Sequence, residues 1–405
     1  MRILQIVPAL SLVYGGPSQM VRSLAAALAA QGLEVTVLTT DADGDAGQPP
    51  LKVPLNQPVP MAGYQVRYFR CSPFRRYKFS LGLLLWLARH GREYDLAHIH
   101  ALFSPVSTAA AMVCRWRGLP YLLRPLGTLD PADLQKKPRL KQLYGRWLEG
   151  PNLAGAAGVH FTSEQEAKIS ERFGATTRDV IVPLGVDLPS LPEAGTARQQ
   201  WGIPADVPLL LFMSRLDPKK GFDLLFPALE QLAAEGLPFH FVLAGANPQD
   251  PAYEQQIQAQ VLGASWRSQA TVTGFVSGDT KLALLRAADL FVLPSYYENF
   301  GIAVAEAMLA GLPVVISNQV HIWESVAAAA AGWVVACDPH QRGAAPAREA
   351  LTAQLRLALQ DAPERARRGA QAQALARSQY SWPAIAQQLA TVYADLTPPA
   401  AAPVR

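Results

Sequence analysis

Short runs of β-branched and leucine-rich residues alternate with helix-patterned stretches along this chain, and that alternation constrains its fold more than any other feature. It specifies a parallel sheet covered by helices on its faces. In a first series RILQIV, EVTVLTT, DLAHIH, YLLRP and GVHFTS read as strands, with helices at 17–30 and 164–173, and VIVPLGVDL closes it. A second series runs through LLLFMSR, FHFVLAG, ATVTGFV, DLFVLPS and PVVIS, with helices at 222–234, 253–262 and 280–287. The turn-rich stretch 189–195 reads as the linker. At 405 residues the chain is too long for one ordinary core and suits two of ~180–200 residues each. The expected class is α/β: two Rossmann-like doubly wound domains, 1–188 and 189–378, facing across a cleft with ligands beyond the strand C-termini. A helix at 382–396 (within 379–396) follows, and the tail 397–405 reads as disordered.

The densest chemical signal is PSYYENFGIAVAEAMLAGLPVV, residues 294–315. A strand ends at Pro294, a loop carries Glu298, Asn299 and Gly301, and a helix runs from Ile302 to a stop at Gly311–Pro313. A strand–loop–helix entry with glycine at the turn presents free N–H groups at a positive dipole end, a seat for phosphate. Glu298 in the loop and Glu306 in the helix can each accept hydrogen bonds from vicinal hydroxyls, one pair on a sugar and the other on a ribose. On the bare pattern, helix capping by both acids explains them equally well. A second signal, SRLDPKKGFDLL, places Arg215 and Lys220 on one βα loop. Two fixed cations there can neutralise a departing diphosphate, while a solvated loop paired with Asp217 is the plainer alternative.

Three further features are weaker alone. Gly15-Gly16-Pro17 after the first strand lets backbone approach a ligand and is not a dinucleotide-binding Gly-x-Gly-x-x-Gly. His98 and His100 share one face of a strand, yet no third metal ligand lies nearby. The Asp41-Ala-Asp43 and Asp43-Gly-Asp45 pairs imitate a metal motif in a turn-rich stretch that reads as a solvated loop.

Glu298 and Glu306, with the flanking Asn-Phe-Gly and the following Gly-x-Pro-Val-Val, resemble the Glu-x7-Glu motif of retaining glycosyltransferases of family 4. The resemblance extends to the Arg215-x4-Lys220-Gly clamp, the glycine loop, HFTSEQEA, VPLGVD and the terminal Tyr-Ser-Trp helix. It implies a GT-B architecture whose C-terminal helix returns to the N-terminal domain. It also implies a nucleotide-diphosphate sugar donor (a UDP- or GDP-sugar), no metal or other cofactor, and transfer with retention. By the same resemblance Arg215, Lys220, Glu298 and His100 carry catalysis. Gly15, Gly16, Gly274, Phe275, Asn299, Phe300, Gly301, Ile302 and Glu306 bind the donor, with Glu298 on the sugar and Glu306 on the ribose. Of the neighbouring lysines, Lys219 is expected to face solvent. RPLGTLDP resembles the Arg-Gly-x-Leu-Asp-Pro loop of one branch, but Pro125-Leu126 separates Arg124 from Gly127, which puts a role for Arg124 in doubt. Two rivals from other classes are a sugar-nucleotide epimerase of the same architecture and a non-catalytic nucleotide-sugar-binding protein. The presence of both cations and both acids weighs against the second.

Charge and composition bound the partners. Residues 1–185 hold 21 Lys and Arg against 13 Asp and Glu, a net +8, whereas the remainder is −4. A basic first half suits an anionic partner or a lipid surface, although ordinary surface variation gives the same count. RYFRCSPFRRYKF, residues 67–79, interleaves cations with aromatic rings, so Arg70, Arg75, Arg76 and Lys78 are candidate membrane or acceptor contacts, with Lys136, Lys137, Arg139 and Lys141 adding to that face. No nucleic-acid module accompanies it. The apolar opening reads as a buried first strand rather than a signal peptide, and three scattered cysteines read as buried thiols. The expected setting is cytoplasmic, with peripheral attachment to the inner face of the plasma membrane and a glycan or lipid-linked acceptor of envelope or exopolysaccharide assembly.

Overall fold

A computed structural model describes residues 1–14, 16–44, 49–72, 77–135, 138–193 and 195–397. Gly15, Asp45, Arg75, Arg76, Lys136, Lys137 and the tail from 398 therefore lie outside the described residues. The chain forms two units, one of Met1–Gly185 with the segment from Trp382 onward, the other Val186–Ser381.

The first unit contains β1 (Arg2–Ala9), β2 (Glu34–Thr40), β3 (Pro58–Pro60), β4 (Gln65–Phe69), β5 (Leu96–His100), β6 (Tyr121–Arg124), β7 (Gly158–Phe161) and β8 (Asp179–Ile181). They assemble in the order β3-β4-β2-β1-β5-β6-β7-β8, parallel except for the antiparallel edge β3. The second unit contains β9 (Leu209–Met213), β10 (His240–Ala244), β11 (Ala270–Gly274), β12 (Leu290–Leu293), β13 (Val314–Ser317) and β14 (Gly332–Val335), in the order β11-β10-β9-β12-β13-β14 and all parallel. Strand order reverses at β1 in one sheet and at β9 in the other, so each unit has a switch point where loops diverge and a ligand fits.

The expected helices at 222–234 and 382–396 have those bounds, and the one at 17–30 starts one residue earlier, at Gly16. The helix expected at 164–173 is shorter, Glu164–Ile169, because Ser170 leaves helical backbone for an extended one at ψ 135°. Three strands escaped the sequence reading: β3, β4 and β14. β4 carries QVRYF, and pairing with β2 buries Tyr68 and Phe69. Those rings, with the half-buried Phe79 packed on the core that holds Phe69, leave the 67–79 segment with Tyr77 as its exposed described aromatic. Arg70 is exposed, while the half-buried Lys78 sits 4.6 Å from the Tyr14 ring. β14, the GWVV stretch, was hidden behind an alanine run.

The C-terminal helix Trp382–Leu396 returns to the first unit and packs on Gly16–Ala30 through Ile385, Ala386, Leu389 and Tyr393. Beneath it runs a buried hydrogen-bond chain. Gln5 Nε2 donates to the Tyr393 hydroxyl (3.1 Å), which donates to His98 Nδ1 (2.8 Å). His98 Nε2 in turn reaches His160 Nδ1 (3.2 Å), and His160 Nε2 donates to the Val182 carbonyl (2.8 Å). A side branch links His100 Nε2 to Gln5 Oε1 (2.7 Å). One proton order, Nε2–H on every ring, satisfies all these bonds with neutral imidazoles. Burial, reinforced by the Arg124 guanidinium and, for His98 and His100, by neighbouring imidazoles, holds all three histidines well below their ordinary value. The unfolded chain therefore binds protons that the folded unit refuses, and stability is lost as pH falls below ~6.5. The urea midpoint of unfolding is expected to drop between pH 7 and pH 5. Tyr393→Phe, which strands Gln5 and His98, is expected to cost about 1–3 kcal/mol in the same titration at pH 7.

Candidate active site

The chemistry of the second unit collects at the C-terminal ends of β9, β10, β11 and β12. Two close backbone approaches build the place. A β-carbon on Gly245 would lie 2.0 Å from the Ser214 carbonyl oxygen, and one on Gly221, at φ +75°, would lie 2.1 Å from that of Pro294. Only glycine lets these loops touch. The Glu298 loop is pinned by its own backbone, since Glu298 N donates to Gln319 O (3.0 Å) and its carbonyl accepts from His321 N (3.1 Å). Gly301, at φ +84°, then turns the chain into the helix Ile302–Leu309. The first N–H groups of that helix precede its first intrahelical acceptors, as at any helix start.

Two adjoining cavities open here. One, of about 310 Å3, is lined by Ser214, Lys220, Lys281, Leu293, Glu298, Gly301, Ile302, Ala303 and Glu306. The other, of about 320 Å3, has mostly apolar and backbone walls from Met213, Ala244–Ala246, Pro248, Phe275 and Val276, with Arg215 at its rim. Ser214, Lys281, Ala303 and Glu306 belong to both. Lys220 is buried and its ammonium donates to Glu298 Oε2. Lys281 Nζ donates to Glu306 Oε1 at 2.6 Å. Each carboxylate thus has a lysine of its own, and one such bond leaves most acceptor positions of a carboxylate available.

The remaining expected residues divide. Ile302 and Phe275 are exposed at the cavities, Phe275 to 77 %. Gly274 ends β11 at φ +70°, and nothing lies within 4 Å of where its side chain would be. Asn299 Oδ1 is buried without a hydrogen-bond partner beside Glu298. Arg215 is held at the surface by Gln249 and Asp217, both at 3.1 Å, rather than beside Lys220. The Phe300 ring is 2 % exposed and edges onto Tyr380, so its side chain packs the helix in place and only its backbone is left to meet a donor. Lys219, expected in solvent, is half-buried with Nζ 5.6 Å from the Tyr297 ring, and burial lowers its pKa despite the Glu298 charge. Lys281 was missed, because a single lysine in the first turns of a helix looks like any solvated cation.

In the first unit Gly16 opens a helix. His100 is fully buried, with Nδ1 unpartnered, and lines neither cavity described above. Its register neighbour Arg124 is also buried, bonded to Met20 Sδ with Nε and Nη2 unpartnered, and desolvation brings its pKa to about 10. Asp41 accepts from Cys71 N and Asp43 from Ser11 Oγ, so both serve local structure. Among the described residues no three His, Cys, Asp or Glu come together as a metal-ligand group.

Comparison with known proteins places this arrangement. The family signature described as "Glycosyl transferases group 1" spans residues 194–374, and "Glycosyl transferase 4-like domain" spans 15–185. The chain is 30% identical over 334 residues to an alpha-D-kanosaminyltransferase of Streptomyces kanamyceticus, covering 78% of this chain and 83% of that one. The chain belongs to the group 1, GT4-like glycosyltransferases. It is also 29% identical over 324 residues to a D-inositol 3-phosphate glycosyltransferase of Xylanimonas cellulosilytica, covering 74% and 75% of the two chains. The fold is that of GT-B glycosyltransferase structures. Sucrose-phosphate synthase of Thermosynechococcus elongatus superposes with a TM-score of 0.70 at 22% identity, covering 98% and 99%. Anabaena HepE in complex with UDP and glucose gives 0.67 at 21%, covering 98% and 100%.

In this glycosyltransferase the close approach at Gly221 joins the clamp loop to the glutamate loop. Gly221→Ala is expected to cost about 1–3 kcal/mol for the left-handed backbone alone, with more from the clash at Pro294. A lowered melting temperature checks it, and a variant as stable as wild type would show the approach to be looser than described.

Proposed function

We propose that this glycosyltransferase moves a hexosyl group from a UDP- or GDP-sugar to a glycan or lipid-linked acceptor, with retention and without a metal ion. The observation that carries the reading is the shared cavity in which Lys220, Glu298, Lys281, Glu306 and a helix N-terminus converge. The superposed Anabaena protein holds UDP and glucose in a chain of the same fold. The apolar cavity beside Phe275 suits the base, Glu306 the ribose hydroxyls and Glu298 the hydroxyls of the sugar. The helix start at Gly301–Ile302 and the Lys220 ammonium face the diphosphate, and Arg215 reaches it from the rim.

On this reading the acceptor oxygen attacks the anomeric carbon on the face that the diphosphate leaves. The C1–O bond to the β-phosphate breaks and both its electrons go to the phosphate oxygen, which takes the acceptor's proton. The charge that grows there meets fixed donors rather than mobile water. The basic first unit supports an anionic acceptor, as a glycan of envelope or exopolysaccharide assembly would be.

Lys220→Ala is expected to lower turnover ~100-fold or more, with a smaller change in KM. Glu306→Ala is expected to weaken donor binding by ~1–3 kcal/mol, measured by calorimetry with the nucleotide sugar that most raises the melting temperature. Turnover should survive EDTA. A strict need for added Mn²⁺ or Mg²⁺ would sink the metal-free mechanism, and inverted anomeric configuration in the product would sink retention.

A further inference from the structure

One face of the first sheet is covered by Gly16–Ala30 and the C-terminal helix, while Leu81–His90 and Pro105–Arg117 pack together on the other. Pro138–Tyr144, running on through the turn Gly145–Glu149 to a segment against Pro105–Arg117, joins the same layer. The inner sides of the first two supply Leu83, Leu87, Val106, Ala110 and Cys114 to the core. Their outer sides are apolar as well. Leu81 and Leu85 are exposed on one helix and Met112 and Trp116 on the next, each pair at i,i+4 spacing. Leu140 and Leu143 on the third and Trp147 in the turn that continues it repeat the pattern at i, i+3 and i+7, with Trp116 at 72 % and Trp147 at 69 % exposure. Seven large apolar side chains on one helical layer are more than the isolated exposed residues that any soluble surface carries.

The charges on this layer have one sign. These helices and the turn hold Arg89, Arg115, Arg117, Arg139, Lys141 and Arg146. Their single acid, Glu149, is buried and accepts from Phe103 N and the Thr108 hydroxyl. A second copy of the chain would bring the same cations against themselves, which disfavours self-pairing. Nucleic acid could stack bases on the two indoles but offers nothing for the five exposed aliphatic side chains to bury in.

We propose that this layer is a docking surface for an anionic lipid bilayer. The indoles of Trp116 and Trp147 enter at headgroup depth with the leucines below them, and the arginines and lysine extend to lipid phosphates. The contact is peripheral, and among the described residues no helix is long and apolar enough to cross a membrane. It lies mainly on the helices after β4, β5 and β6 rather than in the 67–79 segment, whose aromatics Tyr68 and Phe69 are core residues. It does not depend on the identity of the donor or acceptor.

The test is co-sedimentation of the full chain with phosphatidylcholine vesicles, with and without about one-third phosphatidylglycerol, at low and high salt. Binding to the anionic vesicles at low salt and release at high salt are expected. A variant with Trp116→Ser, Leu140→Ser, Leu143→Ser and Trp147→Ser should keep its melting temperature and bind at least ~10-fold less well. Arg139→Gln, Lys141→Gln and Arg146→Gln together should flatten the salt dependence. Protein left in the supernatant at low salt, or a quadruple variant that binds like wild type, overturns the proposal. So does a concentration-dependent dimer in sedimentation velocity that the quadruple variant abolishes, since the layer would then pair two copies.

Discussion

Lys220 lies almost out of reach of solvent, with its ammonium group on the Glu298 carboxylate. Such a pair is expensive on both sides: either ion alone at that depth would cost several kcal/mol. The pair therefore ties the loop after β9 to the loop after β12, and the surrounding backbone is arranged to permit it. Gly221 brings the lysine loop against Pro294, and Gly301 turns the glutamate loop into a helix at a φ that other residues rarely adopt. Tyr296 adds a third tie, donating to Asp223 Oδ2 and accepting from Gly343 N, while its backbone N–H reaches Lys219 O. Burial raises the phenol's pKa, so it remains a donor throughout the working range of pH.

Most of the architecture was legible because strands buried on both faces are short, nearly continuous apolar runs. Of the strands that escaped, β3 is only the three residues Pro58–Pro60, β14 follows an alanine run, and β4 breaks this rule. β4 carries Arg67 between Val66 and Tyr68, and its guanidinium stacks 4.9 Å from the Trp86 ring, so a sheet residue looked like part of a basic surface. The positions of Lys220, Glu298 and Glu306 were legible because they fall in βα loops at strand C-termini or in the helix that follows at once. Contacts set by packing were not. Phe300 sits in the right loop, yet its hydrophobic ring goes to Tyr380, and Lys281 meets Glu306 only through the fold.

The first unit solves a different problem. A helix made last must be fixed on a sheet made first, and apolar packing alone leaves its register loosely specified. Tyr393 supplies the missing specificity by joining a chain of buried groups from β1, β5 and β7, each satisfied in a single proton order. The scheme requires neutral imidazoles, so it ties the docking of the C-terminal helix to pH. Arg124, buried next to His100 with two unpartnered nitrogens, reinforces that neutrality through its charge, at the expense of its own desolvation.

On the proposed function, the same logic of paired charges explains how the donor site receives a dianion. Lys220 with Glu298, Lys281 with Glu306 and Arg215 with Asp217 leave little net charge among the side chains. The positive end of the helix Ile302–Leu309 then remains the field that a diphosphate meets first. Lys220 is already held in place by its carboxylate, so the ammonium need not be recruited from solvent as charge grows on the leaving oxygen. The acids serve twice over: each fixes a lysine and keeps acceptor positions for the hydroxyls of the donor. A site with the lysines alone would attract the diphosphate more strongly at long range. It would also hold the departing diphosphate longer and give up the carboxylates that align the sugar and the ribose.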